Sequence, residues 1–165
     1  MRLLCLVLGL AGVLAGCGGH GGGEPAAPAP TPVAPTPAGY AAAINRLCER
    51  HLAEVGRLTS EAVDRAELLD LSRRDATAEA IALTLPVLRR SFAEARALPR
   101  PPSQARRLAL FWARADDSVA LLRRAERALR AGDDVELARA RGRIREVAAD
   151  TRPVAKALHL RSCLA

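Results

Sequence analysis

Over most of residues 40–165, hydrophobic positions repeat with the period of an α-helix. The first stripe recurs at three- and four-residue spacing, which defines one face of an amphipathic helix. It consists of Ile44, Leu47, Cys48, His51, Leu52 and Val55. Residues 56–60 contain Gly, Thr and Ser and predict a break, with Thr59 or Ser60 as N-cap of a short helical run over residues 63–71. Residues 72–75 predict a second break, with Asp75 capping the helix that follows.

The second stripe continues to a proline-rich stop at residues 98–102. Pro86 lies within the stripe, where proline kinks a helix or marks its first turn. After the stop, Ser103 is the expected N-cap of a third helix. The stripe of the second helix is formed by Ile81, Leu85, Leu88, Phe92 and Ala95; that of the third helix is formed by Leu108, Phe111, Ala115, Leu122 and Leu129.

A turn is predicted between the third helix and a fourth. Gly132 fits the position just past a helix C-terminus, and Asp133 or Asp134 fits the next N-cap. The last helix carries a nearly strict heptad pattern, which Pro153 should bend. Its members are Leu137, Ala140, Ile144, Val147, Thr151, Val154 and Leu158.

Composition supports a purely helical domain. Aromatic residues make up only 2% of the 165 residues, whereas strands favour aromatic and β-branched side chains. Alanine, leucine and arginine are strong helix formers. We therefore predict an all-α fold over residues 40–165, an antiparallel up-down bundle of about four helices with short connections.

The N-terminal segment predicts an exported, lipidated chain. Arg2 precedes an apolar run over residues 3–14, which is too short to span a bilayer because that needs about 20 residues. Such a run after a positive charge is typical of a signal peptide. It ends in Leu14-Ala15-Gly16-Cys17, which resembles the lipobox of bacterial lipoproteins. The resemblance implies cleavage between Gly16 and Cys17, leaving a 1–16 signal peptide, and acylation of the Cys17 sulfur.

Residues 17–39 are expected to form a disordered tether behind this cysteine. The segment is rich in glycine, proline and alanine, and such composition buries too little apolar surface to offset the entropy of ordering. Its proline-rich half should be extended, rising about 3.1 Å per residue. The predicted location is therefore the extracytoplasmic face of the cell membrane, with membrane lipid contacting the chain through acylated Cys17.

Two interpretations account for the remaining cysteines. Antiparallel helices bring Cys48 and Cys163 to the same end of the bundle, and an exported domain with two thiols predicts a disulfide. The alternative is a metal site formed by Cys48, His51, His159 and Cys163, whose spacing on two helices suits tetrahedral coordination. We favour the disulfide, because exported thiols tend to oxidise.

No catalytic constellation is evident, and we expect neither enzymatic activity nor a cofactor. A Ser/His/Asp site needs a base and a group that orients it, and the folded part has only His51 and His159. The net charge of +7 would suit binding to an anionic envelope polymer or anionic lipid. Acidic residues are interspersed among the basic ones, however, so we attribute the charge to overall amino-acid composition rather than to a binding function. Because the chain is expected to be exported, we do not expect a nucleic-acid partner. The most favoured role is an interaction or structural module that contacts an envelope protein. Trp112 is a candidate contact residue if it is partly exposed, but we favour a position in which it caps the core.

Several short segments of the folded part resemble a family of small, Ala/Arg-rich lipoproteins of actinobacterial type, to which no activity is assigned. The resembling segments are Ile44-Asn45-Arg46-Leu47-Cys48, Leu98-Pro99-Arg100-Pro101-Pro102, Ala131-Gly132-Asp133 and Leu158-His159-Leu160-Arg161-Ser162-Cys163. Glycine usually stands in that family where this chain has His159. The resemblance implies a disulfide-closed helical bundle and adds no specific function.

Overall fold

The computed structural model describes residues 35–163 and contains four long helices. They are α1 (Pro37–Leu68), α2 (Arg73–Ala97), α3 (Ala105–Ala131) and α4 (Asp134–Ala157). A 3₁₀ turn, Pro102–Gln104, precedes α3. Short connections make successive helices antiparallel, so the all-α up-down bundle is confirmed. The predicted signal peptide, Cys17 and most of the tether lie outside the described residues. None of the described helices is long and apolar enough to cross a membrane.

Local capping chemistry sets most of the helix boundaries. Thr36 accepts a hydrogen bond from the Gly39 N–H, and Pro37 occupies the first turn of α1, so this helix begins three residues before the expected boundary at Tyr40. Ser72, rather than Asp75, caps α2. Asp133 caps α4 as predicted by accepting from the Glu136 N–H at 2.9 Å.

The turn between α3 and α4 also follows its prediction. Gly132 adopts a left-handed conformation with φ of 68°, which glycine reaches without the steric penalty of a Cβ atom. The expected Ser103 cap is wrong. Gln104 occupies the N-cap position of α3 without a side-chain hydrogen bond, because the preceding residues form the 3₁₀ turn.

The predicted break at residues 56–60 is wrong, since α1 runs unbroken from Pro37 to Leu68. The Thr59 hydroxyl donates to the carbonyl of Val55 within the helix. Beyond this point Ala62 and Ala66 are buried, and α1 continues to pack against α2. Tertiary packing therefore overrides the weak helix propensity of Gly, Thr and Ser. Pro86 and Pro153 likewise lie inside continuous helices, on exposed faces.

The four helices do not close evenly around one core. α2 and α3 each pack against two neighbours. α1 packs against α2 and α4 against α3, but α1 and α4 make little contact with each other. A larger cluster joins all four helices at the end where α1 begins, and includes Ile44, Leu108, Phe111 and Leu158. A smaller cluster, built around Leu129 and Leu137, involves only α2, α3 and α4. The gap between α1 and α4 is where a cavity forms.

Candidate functional site

A disulfide joins α1 to the segment that follows α4. The Sγ atoms of Cys48 and Cys163 lie 2.05 Å apart, and the Cα atoms 5.2 Å, which confirms the predicted pair. The bridge spans the side of the bundle where α1 and α4 barely touch. It adds a covalent link between the first helix and the end of the chain, next to the larger core cluster.

The residues before Cys163 bring the chain from α4 back to α1. Leu158 and Leu160 are fully buried in the larger core cluster. His159, between them, has a positive φ of 57°, a conformation more usual for glycine at the end of a helix. Its backbone carbonyl accepts a hydrogen bond from Asn45 Nδ2 at 2.9 Å. This turn aims Cys163 at Cys48.

His51 lies one turn along α1 from Cys48 and is buried. Its Nε2 atom lies 3.3 Å from Glu94 Oε2, within hydrogen-bond distance. Its Nδ1 atom lies 3.7 Å from Glu54 Oε2 and has no hydrogen-bond partner among the described residues. The ring is thus held between two carboxylates, one from its own helix and one from α2.

Arginines complete this arrangement. Arg50 pairs with Glu94 at 2.8 Å, and Arg90 donates to both oxygens of Glu54 at 2.7 Å. The hydrogen bond from Arg90 holds the pKa of Glu54 below its usual value. The hydrogen bond with His51 does the same for the pKa of Glu94. Both carboxylates therefore stay ionised through neutral pH and fix the histidine ring.

The structure does not assemble the alternative metal site. The sulfur atoms of Cys48 and Cys163 are bonded to each other, and a metal needs free thiolates. His51 is committed to Glu94, while His159 is exposed. Within residues 35–163, no group of three or more His, Cys, Asp or Glu residues is placed to hold a metal ion.

A mainly apolar cavity of about 270 Å³ lies between the helices, next to the disulfide and His51. All four helices contribute to its wall, with Thr151 provided by α4. Most of the lining is aliphatic or aromatic: Leu52, Val55, Leu88, Phe92, Ala95, Phe111, Trp112, Ala115, Val119 and Leu122. Its polar lining residues are His51, Ser91, Ser118 and Thr151. For comparison, an engineered apolar cavity of about 150 Å³ stays dry and binds benzene.

Trp112 belongs to this interior, which agrees with its expected place at the core and rules out its use as an exposed contact residue. Only 5% of its surface is accessible. Its ring meets Phe111 edge-on at 4.9 Å between centroids and Phe92 at 6.0 Å, and the Arg96 guanidinium lies 5.3 Å from it. α3 packs between α2 and α4, so both the Phe111 face and the neighbouring Trp112 face are covered.

The cavity lining includes one serine and one histidine that are both buried, Ser91 and His51. Ser91 lines the same cavity as His51, but no hydrogen bond joins the two among the described residues, and a serine nucleophile needs such a base. Glu54, Glu94 and Ser91 were not anticipated from the sequence. The i, i+4 spacing of Arg50 with Glu54, and of Arg90 with Glu94, hints at charge pairing. The pairs that form instead cross between helices and depend on how the helices align.

Comparison of the chain with protein-family models, with curated proteins and with solved structures found no match.

Proposed function

We propose that this chain is a lipoprotein anchored to the extracytoplasmic face of the cell membrane through acylated Cys17, and that its bundle is a non-enzymatic binding module. Cys17 lies outside the described residues, so the support comes from elsewhere. The Leu-Ala-Gly-Cys sequence resembles a lipobox. The Cys48–Cys163 disulfide is a feature of chains that leave the reducing cytoplasm. The same proposal places the chain among the small Ala/Arg-rich lipoproteins.

Acylation is tested on the full chain in a bacterial host that processes lipoproteins. Mass spectrometry of the purified protein should find an N-terminus at Cys17 carrying a diacylglyceryl group. A Cys17→Ser variant should lose the lipid and appear in the soluble exported fraction. Cys5→Ser provides the control, because Cys5 lies in the apolar part of the predicted signal peptide and should be removed with it. An unmodified Cys17 in the wild type contradicts the anchor.

One observation supports the binding module: the apolar cavity beside buried His51. Its volume approaches the lower end of small-molecule sites, roughly 300 Å³. No lysine, arginine or carboxylate lines it, so an anionic or cationic head group would find no counter-charge inside. The Ser91 hydroxyl lines the cavity, makes no hydrogen bond to another described residue, and can accept one from a ligand. The ligand that fits is a small, uncharged, apolar molecule with one hydrogen-bond donor.

This ligand class is tested with three eight-carbon probes: octan-1-ol, its isomer heptyl methyl ether, and octanoate. The protein used is a chain beginning at residue 18, exported behind a signal that has no lipobox. It keeps the folded part, because both core clusters and the disulfide lie within residues 35–163. Trp112 is the chain's only tryptophan and lines the cavity, so its fluorescence reports occupancy. Octan-1-ol should bind about 3- to 10-fold tighter than the ether, the difference that one net hydrogen bond provides, and octanoate should bind weakest.

Two variants locate the binding. Ser91→Ala removes the hydroxyl with little change in volume, so octan-1-ol and the ether should bind equally. Ser118→Leu adds bulk to the cavity wall and should weaken both probes, while circular dichroism confirms that the helices are retained. Equal affinity of the alcohol and the ether for the wild type, or undiminished binding to Ser118→Leu, would place the probes elsewhere and overturn the proposal.

A further inference from the structure

The surplus positive charge of the domain is concentrated at one end. We define the tether end as residues 35–48, 96–112 and 150–163, which the antiparallel topology brings together where α1 begins. Asp150 is the acidic residue within these ranges, and Glu49 lies against them, because its Oε1 accepts from the Ser162 hydroxyl at 2.7 Å. Eight basic residues lie there: Arg46, Arg96, Arg100, Arg106, Arg107, Arg152, Lys156 and Arg161.

The opposite end has the reverse balance. It comprises residues 61–79 and 125–137, around the turns that join α1 to α2 and α3 to α4. The ion pair between Arg74 and Asp134, at 2.7 Å, shows that these two turns are neighbours. Its basic residues are Arg65, Arg73, Arg74, Arg127 and Arg130. Its acidic residues are Glu61, Asp64, Glu67, Asp70, Asp75, Glu79, Glu126, Asp133, Asp134 and Glu136. The bundle is therefore electrically polarised along its axis.

Seven of the eight cations at the tether end also have no carboxylate partner. Arg96 pairs with Asp116 at 2.7 Å and stacks on Trp112. The other seven are exposed and lie beyond ion-pair distance of any carboxylate in the described part of the chain. By contrast, three of the five basic residues at the far end, Arg65, Arg74 and Arg130, are paired. Seven exposed, unpaired cations therefore lie at the tether end, against two, Arg73 and Arg127, at the far end.

We propose that the tether end docks on an anionic lipid surface, so that the bundle stands on the membrane with its acidic end outward. This inference rests on the proposed anchor, because the chain enters the bundle at the same end, at Thr36. An exposed cation near an anionic leaflet strengthens binding about fivefold. The tether adds a high effective concentration, since docking then becomes an intramolecular event. An anionic polymer could also bind the positive charge, but it would not explain why that charge lies at the end where the tether enters the bundle.

The test uses the unacylated chain beginning at residue 18, so that docking is measured without the anchor. It should sediment with vesicles containing phosphatidylglycerol and not with vesicles of phosphatidylcholine alone. Binding should fall steeply as salt rises, because the contacts are between exposed charges. Free polyphosphate serves as the soluble anionic competitor and should compete only weakly.

Charge-matched variants locate the surface. Arg106→Gln with Arg107→Gln removes two unpaired charges at the tether end and should weaken vesicle binding about 25-fold. Arg141→Gln with Arg145→Gln removes two exposed, unpaired charges from the middle of α4 and should change it less than threefold. Thermal unfolding by circular dichroism verifies that both pairs fold.

Equal losses in the two double variants, or equal binding to both kinds of vesicle, would overturn the docking surface. Binding to polyphosphate in preference to vesicles would replace it with a polymer site. These outcomes are separate from the fate of the anchor, because acylation of Cys17 is read from the mass of the full chain. An acylated protein whose isolated bundle ignores anionic vesicles would retain the anchor and lose the docking surface.

Discussion

Asn45 Oδ1 accepts a hydrogen bond from the backbone N–H of Ser162 at 3.2 Å, joining residues 117 positions apart in the chain. The same side chain donates from Nδ2 to the carbonyl of His159. One asparagine on α1 thus satisfies two backbone groups of the segment that carries Cys163. Together with the disulfide, it fastens the end of the chain to the first helix, where the backbones of α1 and α4 make little close contact with each other.

Replacing Asn45 with alanine should lower the free energy of unfolding by about 1 kcal/mol, because two backbone groups lose their partners while water reaches part of the site. Urea denaturation measures the change. Arg46→Ala is the control: Arg46 is exposed and unpaired in the described structure, so its effect should stay within about 0.5 kcal/mol. Equal effects at the two positions would assign no special role to Asn45.

Removing the disulfide should have a larger effect. The bridge joins residues 115 positions apart, and in the chain-entropy model a loop of about 100 residues stabilises by about 4.7 kcal/mol. Cys48→Ala with Cys163→Ala should lose roughly that amount in urea denaturation. Reductant should destabilise the wild type by a similar amount and leave the double variant unchanged. A wild type insensitive to reductant would show that the bridge contributes little.

Two glycines should respond oppositely to alanine. Gly56 lies in the interior of α1 with open space where a Cβ atom would go, so Gly56→Ala should stabilise by about 0.5–1 kcal/mol. Gly132 has a φ of +68°, so Gly132→Ala should destabilise by about 1 kcal/mol. Thermal unfolding of both variants provides the comparison. A destabilising Gly56→Ala would mean that α1 is not continuous there.

Acid should weaken the contacts around His51. The pKa values of Glu54 and Glu94 are lowered in the folded state, by Arg90 and His51 respectively. A lowered pKa adds stability above the unfolded value of about 4.5, and that stability is lost as pH falls through the folded pKa. The groups facing the pair are His51, Arg50 and Arg90.

The measurement is urea denaturation between pH 6 and pH 3, as a function of pH. Glu54→Gln with Glu94→Gln should flatten the loss of stability below about pH 4.5. The effect should be modest, since exposed ion pairs are screened by solvent. Glu61→Gln is the control, because Glu61 is an exposed residue of α1 that pairs only within its own helix, with Arg57. An unchanged pH profile in the double variant contradicts the role given to the two carboxylates.

The sequence by itself determined the parts of this protein that depend on local pattern. The heptad from Leu137 to Leu158 predicted the buried face of α4, because helical period alone decides which side chains share a face. Gly132 and Asp133 predicted their turn from the needs of backbone conformation and capping. Cys48 and Cys163 were predicted to pair because antiparallel connectivity brings the start of α1 and the end of α4 to one end.

Tertiary structure decided what depends on more than one helix. α1 passes through Gly56 because packing against α2 outweighs local propensity, and Trp112 is buried because α3 has neighbours on two sides. His51 meets Glu94, and the cavity forms, because the axial alignment and spacing of helices set those distances. The net charge can be counted from the sequence. The positive charge becomes concentrated at the tether end only because antiparallel helices place arginines that are distant in sequence side by side.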